Sequence, residues 1–376
     1  MEIPINVRKI RNEVDDVFHY IYNHPELSSE EVECSNYLFN KIRKFSHEAV
    51  ENFLGMQTSF MARLGDGNPK ICIFAEYDAL PLGHACGHNI IAAWAYGVFR
   101  ALSLERNLNG SVYLFGSPAE EGRGKYASSK IKISEELPKM GISSALVVHP
   151  GTSWEVSANY FARWRASFVF RGRASHAAGS PENGINALDA AVNFYINCKM
   201  VKNSIDNNIT TIISEIIKDG GNAVNIIPDR AEVWVDVRSL DNTYTLDIVD
   251  KIKKAGEASA LSNGSRLEIK ELAPFTSTFK KNLDMDKIFY RSAKKFVENI
   301  KTLDEASLSR PMGSSDVGNV SQAVPTSQLI IGITDRKIGL HSMEFLEEAG
   351  SPNAEEALIN AVAAGYDAAK YLLSHQ

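Results

Sequence analysis

Cysteine is scarce: Cys34, Cys72, Cys86 and Cys198 are the four in 376 residues, and their spacing builds no disulfide framework. That excludes a small stapled scaffold and fits a reducing compartment. Cys72 lies inside an apolar run and Cys198 in a helical pattern, so both read as core residues. Long apolar runs are also missing. No segment could span a bilayer, and Met1-Glu2-Ile3-Pro4-Ile5-Asn6 has no apolar centre of signal-peptide length. The expectation is a cytoplasmic protein with no membrane partner. Nor is there an excess of basic charge: 40 Lys and Arg stand against 46 Asp and Glu, a net charge of -6, without a basic run to track a nucleic acid. Repeats and low-complexity tracts are absent. What is present is 44% hydrophobic content over a length that buries a full core and divides into two domains.

The residues able to do chemistry gather at turns that follow apolar runs. Residues 71–75 read as a buried strand and residues 90–104 as an apolar-rich helix. Between them runs Glu76-Tyr77-Asp78-Ala79-Leu80-Pro81-Leu82-Gly83-His84-Ala85-Cys86-Gly87-His88-Asn89, where Cys86 and His88 could ligate one ion or two adjacent ones. A second strand, 111–115, runs into Gly116-Ser117-Pro118-Ala119-Glu120-Glu121-Gly122. Adjacent glutamates on a turn point in different directions, so one can hold metal while the other faces substrate. A third strand, 144–148, ends at His149-Pro150-Gly151. In open α/β sheets, ligands sit in the crevice beyond such strand ends. Cys/His, Glu/Glu and His on successive strands form the donor set of a zinc-type site, not of a magnesium or calcium site.

The remaining pattern is that of an α/β chain with an insertion. Residues 5–23 and 28–44 have helical spacing, with His24-Pro25-Glu26-Leu27-Ser28 as the stop between them. His24 reads as a structural residue at this break, and Ser28 or Ser29 as an N-cap ahead of Glu30-Glu31. Residues 61–64 and 71–75 read as a hairpin across Gly65-Asp66-Gly67-Asn68-Pro69. Strands at 165–171, 210–217 and 231–237, with helices at 183–201 and 243–261, follow a β-α-β-β-α order that suits a small sheet covered by two helices. From about residue 274 the first pattern resumes. A helix at 282–298, the polar turn Met312-Gly313-Ser314-Ser315-Asp316, a strand at 327–333 and His341 precede an alanine-rich helix at 354–373. The expected fold class is α/β: a mostly parallel central sheet flanked by helices, interrupted by a smaller α+β domain. The expected segments are 1–162, 163–273 and 274–376.

Asp78-Ala79-Leu80-Pro81, His84-Ala85-Cys86-Gly87-His88, Pro118-Ala119-Glu120-Glu121-Gly122 and Ser175-His176-Ala177-Ala178 resemble, in order, the di-metal amidohydrolase and peptidase family of aminoacylase, acetylornithine deacetylase and carboxypeptidase G. The Cys-Gly-His form is similar to its branch of auxin-conjugate and N-acyl-amino-acid hydrolases. Glu76-Tyr77-Asp78, Cys86-Gly87-His88-Asn89 and Gly313-Ser314-Ser315-Asp316-Val317-Gly318 look like its p-aminobenzoyl-glutamate hydrolase and dipeptidase group. This resemblance implies a ligand set of Cys86, His88, Glu121, His149 and His341 around two divalent ions, zinc or manganese, with Cys86 as the bridge. It implies Glu120 as general base, Asp78 orienting a ligand histidine, and His176 as oxyanion donor from the inserted lid. Asn225, Arg238, Gly313 and Ser314 match substrate-holding positions, and a guanidinium at 238 suits a free carboxylate. The insertion becomes a lid and dimerisation domain, so a homodimer or higher homo-oligomer is expected. Asn89 and Glu76 depart from the aspartates usual in the wider branch, as in the dipeptide group.

The expected activity is metal-dependent hydrolysis of the amide bond in small amino-acid conjugates or dipeptides, of p-aminobenzoyl-glutamate or β-alanyl type. N-acyl-amino-acid deacylation is the alternative. A metal-binding assembly protein without turnover would have lost Glu120 or a ligand, and none is missing. A serine hydrolase built on Ser175 and His176 is disfavoured, because neighbours on a strand face opposite ways and no nucleophile elbow surrounds them.

Overall fold

The computed structural model describes every residue except Ser157, Ala158, Met312 and Gln376, so the first residue of the polar turn at 312–316 lies outside the described residues. The chain separates into a larger unit, Met1–Asn159 with Phe279–Gln376, and a smaller one, Tyr160–Thr278. In chain order the strands are β1 (Glu48–Glu51), β2 (Phe60–Leu64), β3 (Lys70–Ala75), β4 (Ser111–Gly116), β5 (Ser144–Gly151), β6 (Glu155–Val156), β7 (Ala162–Arg171), β8 (Ser175–His176), β9 (Thr211–Asp219), β10 (Ile226–Ile227), β11 (Arg230–Ser239), β12 (Arg266–Glu271) and β13 (Thr326–Gly332).

In the larger unit seven strands form one sheet in the order β1-β2-β4-β3-β5-β13-β6. The central four, β4, β3, β5 and β13, are parallel, and the pairings toward the edges, β1 with β2, β2 with β4 and β6 with β13, are antiparallel. β3, β4 and β5 are buried on both faces, which is why they read as unbroken apolar runs without alternation. The helix His88–Ser103 packs against β3 and β5 and against helices Arg11–Asn23 and Pro352–His375, and together they bury the main core. Helices Lys130–Glu136 and Val317–Ala323 pack on each other, the latter also on β5 and β13.

Two local expectations are corrected. β2 and β3 are not a hairpin, because β4 lies between them, antiparallel to β2 and parallel to β3. The turn after β2 is pressed onto the start of β4, where a Cβ on Gly65 would stand 2.1 Å from the Gly110 carbonyl oxygen. A strand buried on both faces needs a neighbour on each side, and that requirement overrides the short connection. Nor does a serine cap the second helix: it spans Val32–Ile42 with Glu31 at its N-cap and no side-chain cap bond. His24 is structural, its ring stacked on Tyr20 with centroids 4.1 Å apart and its Nδ1 donating to the Tyr20 carbonyl.

The smaller unit is a four-stranded antiparallel sheet, β12-β7-β11-β9, with a separate two-stranded ribbon of β8 and β10. Helices Ala187–Lys202 and Asn242–Leu261 cover one face. β11 accordingly alternates, with Ala231, Val233, Val235 and Val237 buried and Arg230, Glu232, Trp234, Asp236 and Arg238 half-buried. β12 and the ribbon fall outside the expected order: β12 is mostly charged, and two-residue strands carry no period. Among the described residues, no helix is long and apolar enough to cross a membrane.

Candidate metal centre

Parallel strands deliver their following turns to one edge of the sheet. The turns after β3 and β4 and the end of β5 therefore place Cys86, His88, Glu120, Glu121 and His149 together, and the turn that carries His341 closes on them. The His341 N–H donates to the Ala85 carbonyl at 2.9 Å, which locks that turn beside Cys86. Gly87 precedes the helix at φ 76, and a Cβ there would lie 2.5 Å from Pro150 Cγ. Only glycine lets the Cys86 turn sit this close to the end of β5.

Possible ligand atoms of Cys86, His88 and His149 lie within 4.8 Å of one another, as do those of Cys86, Glu121 and His341 and those of Glu76, His88 and Glu120. Cys86 belongs to two of the groups, with its Sγ 3.5 Å from His149 Nε2 and 3.3 Å from His341 Nε2. Glu121 Oε1 is 3.4 Å from His341 Nε2. His88 Nδ1 donates to the Asp78 carbonyl at 2.8 Å and to Asp78 Oδ1 at 3.0 Å, and His149 Nδ1 donates to the Pro150 carbonyl at 2.7 Å. With Nδ1 so engaged, each of these two histidines turns Nε2 to the cluster, although Asp78 favours the charged form of His88, which would have to give up the Nε2 proton to bind a cation. His88 Nε2, Glu121 Oε1 and Glu76 Oε2 are buried without a hydrogen-bond partner. Buried polar atoms are rarely left so, and imidazole nitrogen, thiol sulfur and carboxylate oxygen in this arrangement fit divalent cations.

The electrostatics point the same way. Burial pushes the Cys86 thiol well up, so its thiolate form needs positive charge beside it. Burial, then the charge of His88, lowers His149 to about 4, which keeps it neutral as a ligand must be. Burial opposes the charge on Asp78, yet His88 and the donors around it hold the carboxyl well below the usual range. Glu120 is raised to about 8 by burial first and Glu76 next. Its Oε1 accepts from the Ser315 hydroxyl at 2.6 Å, and its Oε2 lies 3.8 Å from His88 Nε2.

Sequence reasoning missed a buried lysine. Lys130 is fully buried, 3.0 Å from Glu76 Oε1 and 2.6 Å from Asp316 Oδ1, and its own N–H donates to Asp316 Oδ2. Burial works against its charge, but the two carboxylates, with Glu120, hold its pKa well above the ordinary value. The only signal was Asp316 in the polar turn. Asn89 is not part of the cluster: its amide donates to the Ala349 carbonyl at 3.0 Å.

Of the expected substrate contacts in this unit, Gly313 sits at φ 123 facing open space, and the Ser314 hydroxyl is buried without a partner. In the smaller unit, His176 and Asn225 come together on the ribbon, where the Ala177 N–H donates to the Asn225 carbonyl at 3.0 Å. His176 is exposed, and its Nδ1 accepts from the N–H groups of Ala178 at 3.2 Å and Gly179 at 2.9 Å. That fixes the neutral tautomer with the proton on Nε2. Arg238 stands apart from them on β11, with its Nε 2.7 Å from Asp236 Oδ1.

The peptidase dimerisation domain family matches residues 161–262. A mouse (Mus musculus) Xaa-Arg dipeptidase is 31% identical over 357 residues, covering 89% of this chain and 80% of that protein. One component of the p-aminobenzoyl-glutamate hydrolase of Escherichia coli K12 is 27% identical over 312 residues, covering 76% of this chain and 63% of that one. A solved structure of a dinuclear metal-binding peptidase of the M20 family from Bacillus subtilis shares the fold at TM-score 0.72 and 20% identity, covering 98% of this chain and 100% of that one. With identity of this level running along nearly the whole polypeptide, the chain belongs to the M20 family of metal-dependent peptidases and amidohydrolases.

Proposed function

We propose that the protein hydrolyses the amide bond of dipeptides or small amino-acid conjugates that carry a free carboxylate, with Glu120 as general base. The observation that carries this reading is the setting of Glu120: one oxygen held by Ser315 at 2.6 Å, the other 3.8 Å from His88 Nε2. Two ions, one with Cys86, His88 and His149 and one with Cys86, Glu121 and His341, would supply Lewis acidity and lower the pKa of water. Zinc suits the shared thiolate best, with manganese the other candidate. Glu120, in its carboxylate form, takes the proton of the attacking water and passes it to the leaving nitrogen; burial disfavours that form, and the positive charge of the two ions would favour it. Asp78 keeps His88 aligned through Nδ1. His176, with its proton on Nε2, is the donor assigned to the developing oxyanion, and Asn225, Arg238, Gly313 and Ser314 are assigned to substrate. The relatives named for Xaa-Arg and p-aminobenzoyl-glutamate support the carboxylate-bearing class.

The assembly assigned is a homodimer through the smaller unit, in line with the matched dimerisation family. Val192, Ile196 and Met200, 42%, 52% and 63% exposed, form one stripe at four-residue spacing on the helix Ala187–Lys202. That helix packs on β9, an edge strand with Ile212 and Ile216 exposed. A free thiol at Cys86 suits the cytoplasm.

The deciding experiment assays Xaa-Arg and β-alanyl dipeptides, p-aminobenzoyl-glutamate and N-acetyl amino acids after loading with zinc and, separately, manganese. Cleavage of a free-carboxylate amide is expected. Cleavage of acetyl amino acids alone would favour deacylation, and intact substrates throughout would refute the assignment.

A further inference from the structure

The stretch from Glu26 to Glu31 carries two hydroxyls and a buried carboxylate that no step above uses. It lies across both ligand-bearing turns. On the side of the first turn, the Ala79 N–H donates to the Glu26 carbonyl at 2.7 Å, and the Ser28 hydroxyl donates to Asp78 Oδ2 at 2.7 Å. On the side of the second, Glu31 Oε1 accepts from the Ala119 N–H at 2.8 Å. The Ser29 hydroxyl donates to the Arg123 carbonyl at 3.0 Å and accepts from the Tyr126 N–H at 2.8 Å. The same Glu31 oxygen accepts from the Ser29 N–H at 2.7 Å, and its Oε2 accepts from the Thr58 hydroxyl at 3.1 Å. Glu31 is fully buried.

Ala119 is the residue just before Glu120 and Glu121, and its φ is 57. That left-handed conformation is disfavoured for any residue with a Cβ, and it persists only where neighbours determine it. Here the neighbours are Glu31, at the Ala119 N–H, and Ser128, whose N–H donates to the Ala119 carbonyl at 2.8 Å. Ser29, also left-handed at φ 70, is held by the same Glu31 oxygen. Asp78 Oδ2 receives both the Ser28 hydroxyl and the Glu121 N–H, at 3.1 Å, so the two turns are bolted to each other through a carboxylate that this stretch orients.

We propose that Ser28, Ser29 and Glu31 are positioning residues of the hydrolytic centre: they hold the turn at Ala119 in its left-handed form, so that Glu120 and Glu121 project from it in different directions, and they set Asp78 behind His88. The inference rests on the proposed role of Glu120 and extends it to residues that touch neither substrate nor metal.

Glu31→Ala leaves the Ala119 N–H buried without its acceptor and frees the turn to relax. The expected result is a fall in kcat of about 10- to 100-fold, with KM near the wild-type value and weaker retention of metal against a chromophoric chelator. Ala119→Gly added to that variant should restore much of kcat and metal retention, because glycine adopts φ near 57 without a Cβ penalty. Glu31→Gln, which keeps an acceptor oxygen, should stay close to wild type. A mere loss of fold would lower the melting temperature and the soluble yield without answering to glycine at 119. Wild-type kcat and metal retention in Glu31→Ala, or a folded variant that Ala119→Gly does not rescue, would overturn the inference. The chelator measurement needs no substrate, so it decides the matter even if the wild-type protein cleaves no amide, an outcome that would defeat only the proposed reaction.

Discussion

The two units treat polar groups in opposite ways. In the larger one, strands buried on both faces leave functional side chains nowhere to go but the strand ends, where they converge and are buried together: His88, Glu76, Asp78 and Lys130 are each at most 3% exposed. In the smaller one, a sheet covered on one face spreads its charges along the other, and they pair locally. Arg165 and Arg238 both meet Asp236, and Arg230 meets Asp219 and Glu232. Motif spacing therefore reports chemistry in the first unit. In the second, the exposed apolar stripe says more than any single charge.

The sharpest way to break that contrast is Glu120→Gln. If the larger unit holds the chemistry, kcat should fall about 100- to 10,000-fold while elemental analysis still finds bound metal. Retained turnover would move the reaction elsewhere. Next in size is Lys130→Met, which strands Glu76 and Asp316 with no counter-charge. A loss of about 3 to 5 kcal/mol in urea unfolding is expected, whereas a surface ion pair would cost about 1 kcal/mol or less. For the smaller unit, Ile196→Asp should turn a dimer into a monomer in analytical ultracentrifugation, with the melting temperature of the protomer little changed. Arg238→Ala should raise KM about tenfold for substrates with a free carboxylate and leave their amidated counterparts unaffected. If both classes respond alike, the bond to Asp236 is its whole role.

A pH dependence tests the buried side of the contrast. Burial, then the charge of Asp78, raises Glu31 from 4.5 to about 7, so between those values the folded state binds more of a proton than the unfolded one. The stability this group contributes is full below pH 4.5 and is lost as pH rises toward 7. Urea midpoints of the wild type should therefore fall relative to Glu31→Gln across that window, and parallel curves would show Glu31 ionised throughout.

Much of this was legible in the sequence because the constraints were local. The runs at 71–75, 111–115 and 144–148 are apolar on both faces, and the residues after them had to be ligands or loops. Glu120 and Glu121 could be separated only in space, since adjacent letters do not show which way each points. Lys130 was illegible because its partners lie at 76 and 316, and a lysine opening a helix looks like a solvated one. Glu31 was hidden for a similar reason: Ser28, Ser29 and Glu31 have the letters of a helix cap, and their hydrogen bonds go instead to Asp78, Arg123 and Ala119. The strand pairing of β2 with β4 is likewise a contact across distant sequence, which a short connection disguises.

The position of β13 between β5 and β6 has a consequence for how the protein is made. Those two neighbours leave the ribosome before the whole of the smaller unit, and β13 leaves after it. A nascent chain must therefore keep a slot open in its main sheet while an entire domain is translated, and the centre gains His341 only after that domain and β13 have been made. A chain halted between the end of the smaller unit and His341 would carry that unit finished and the ligand cluster of Cys86 and Glu121 one member short.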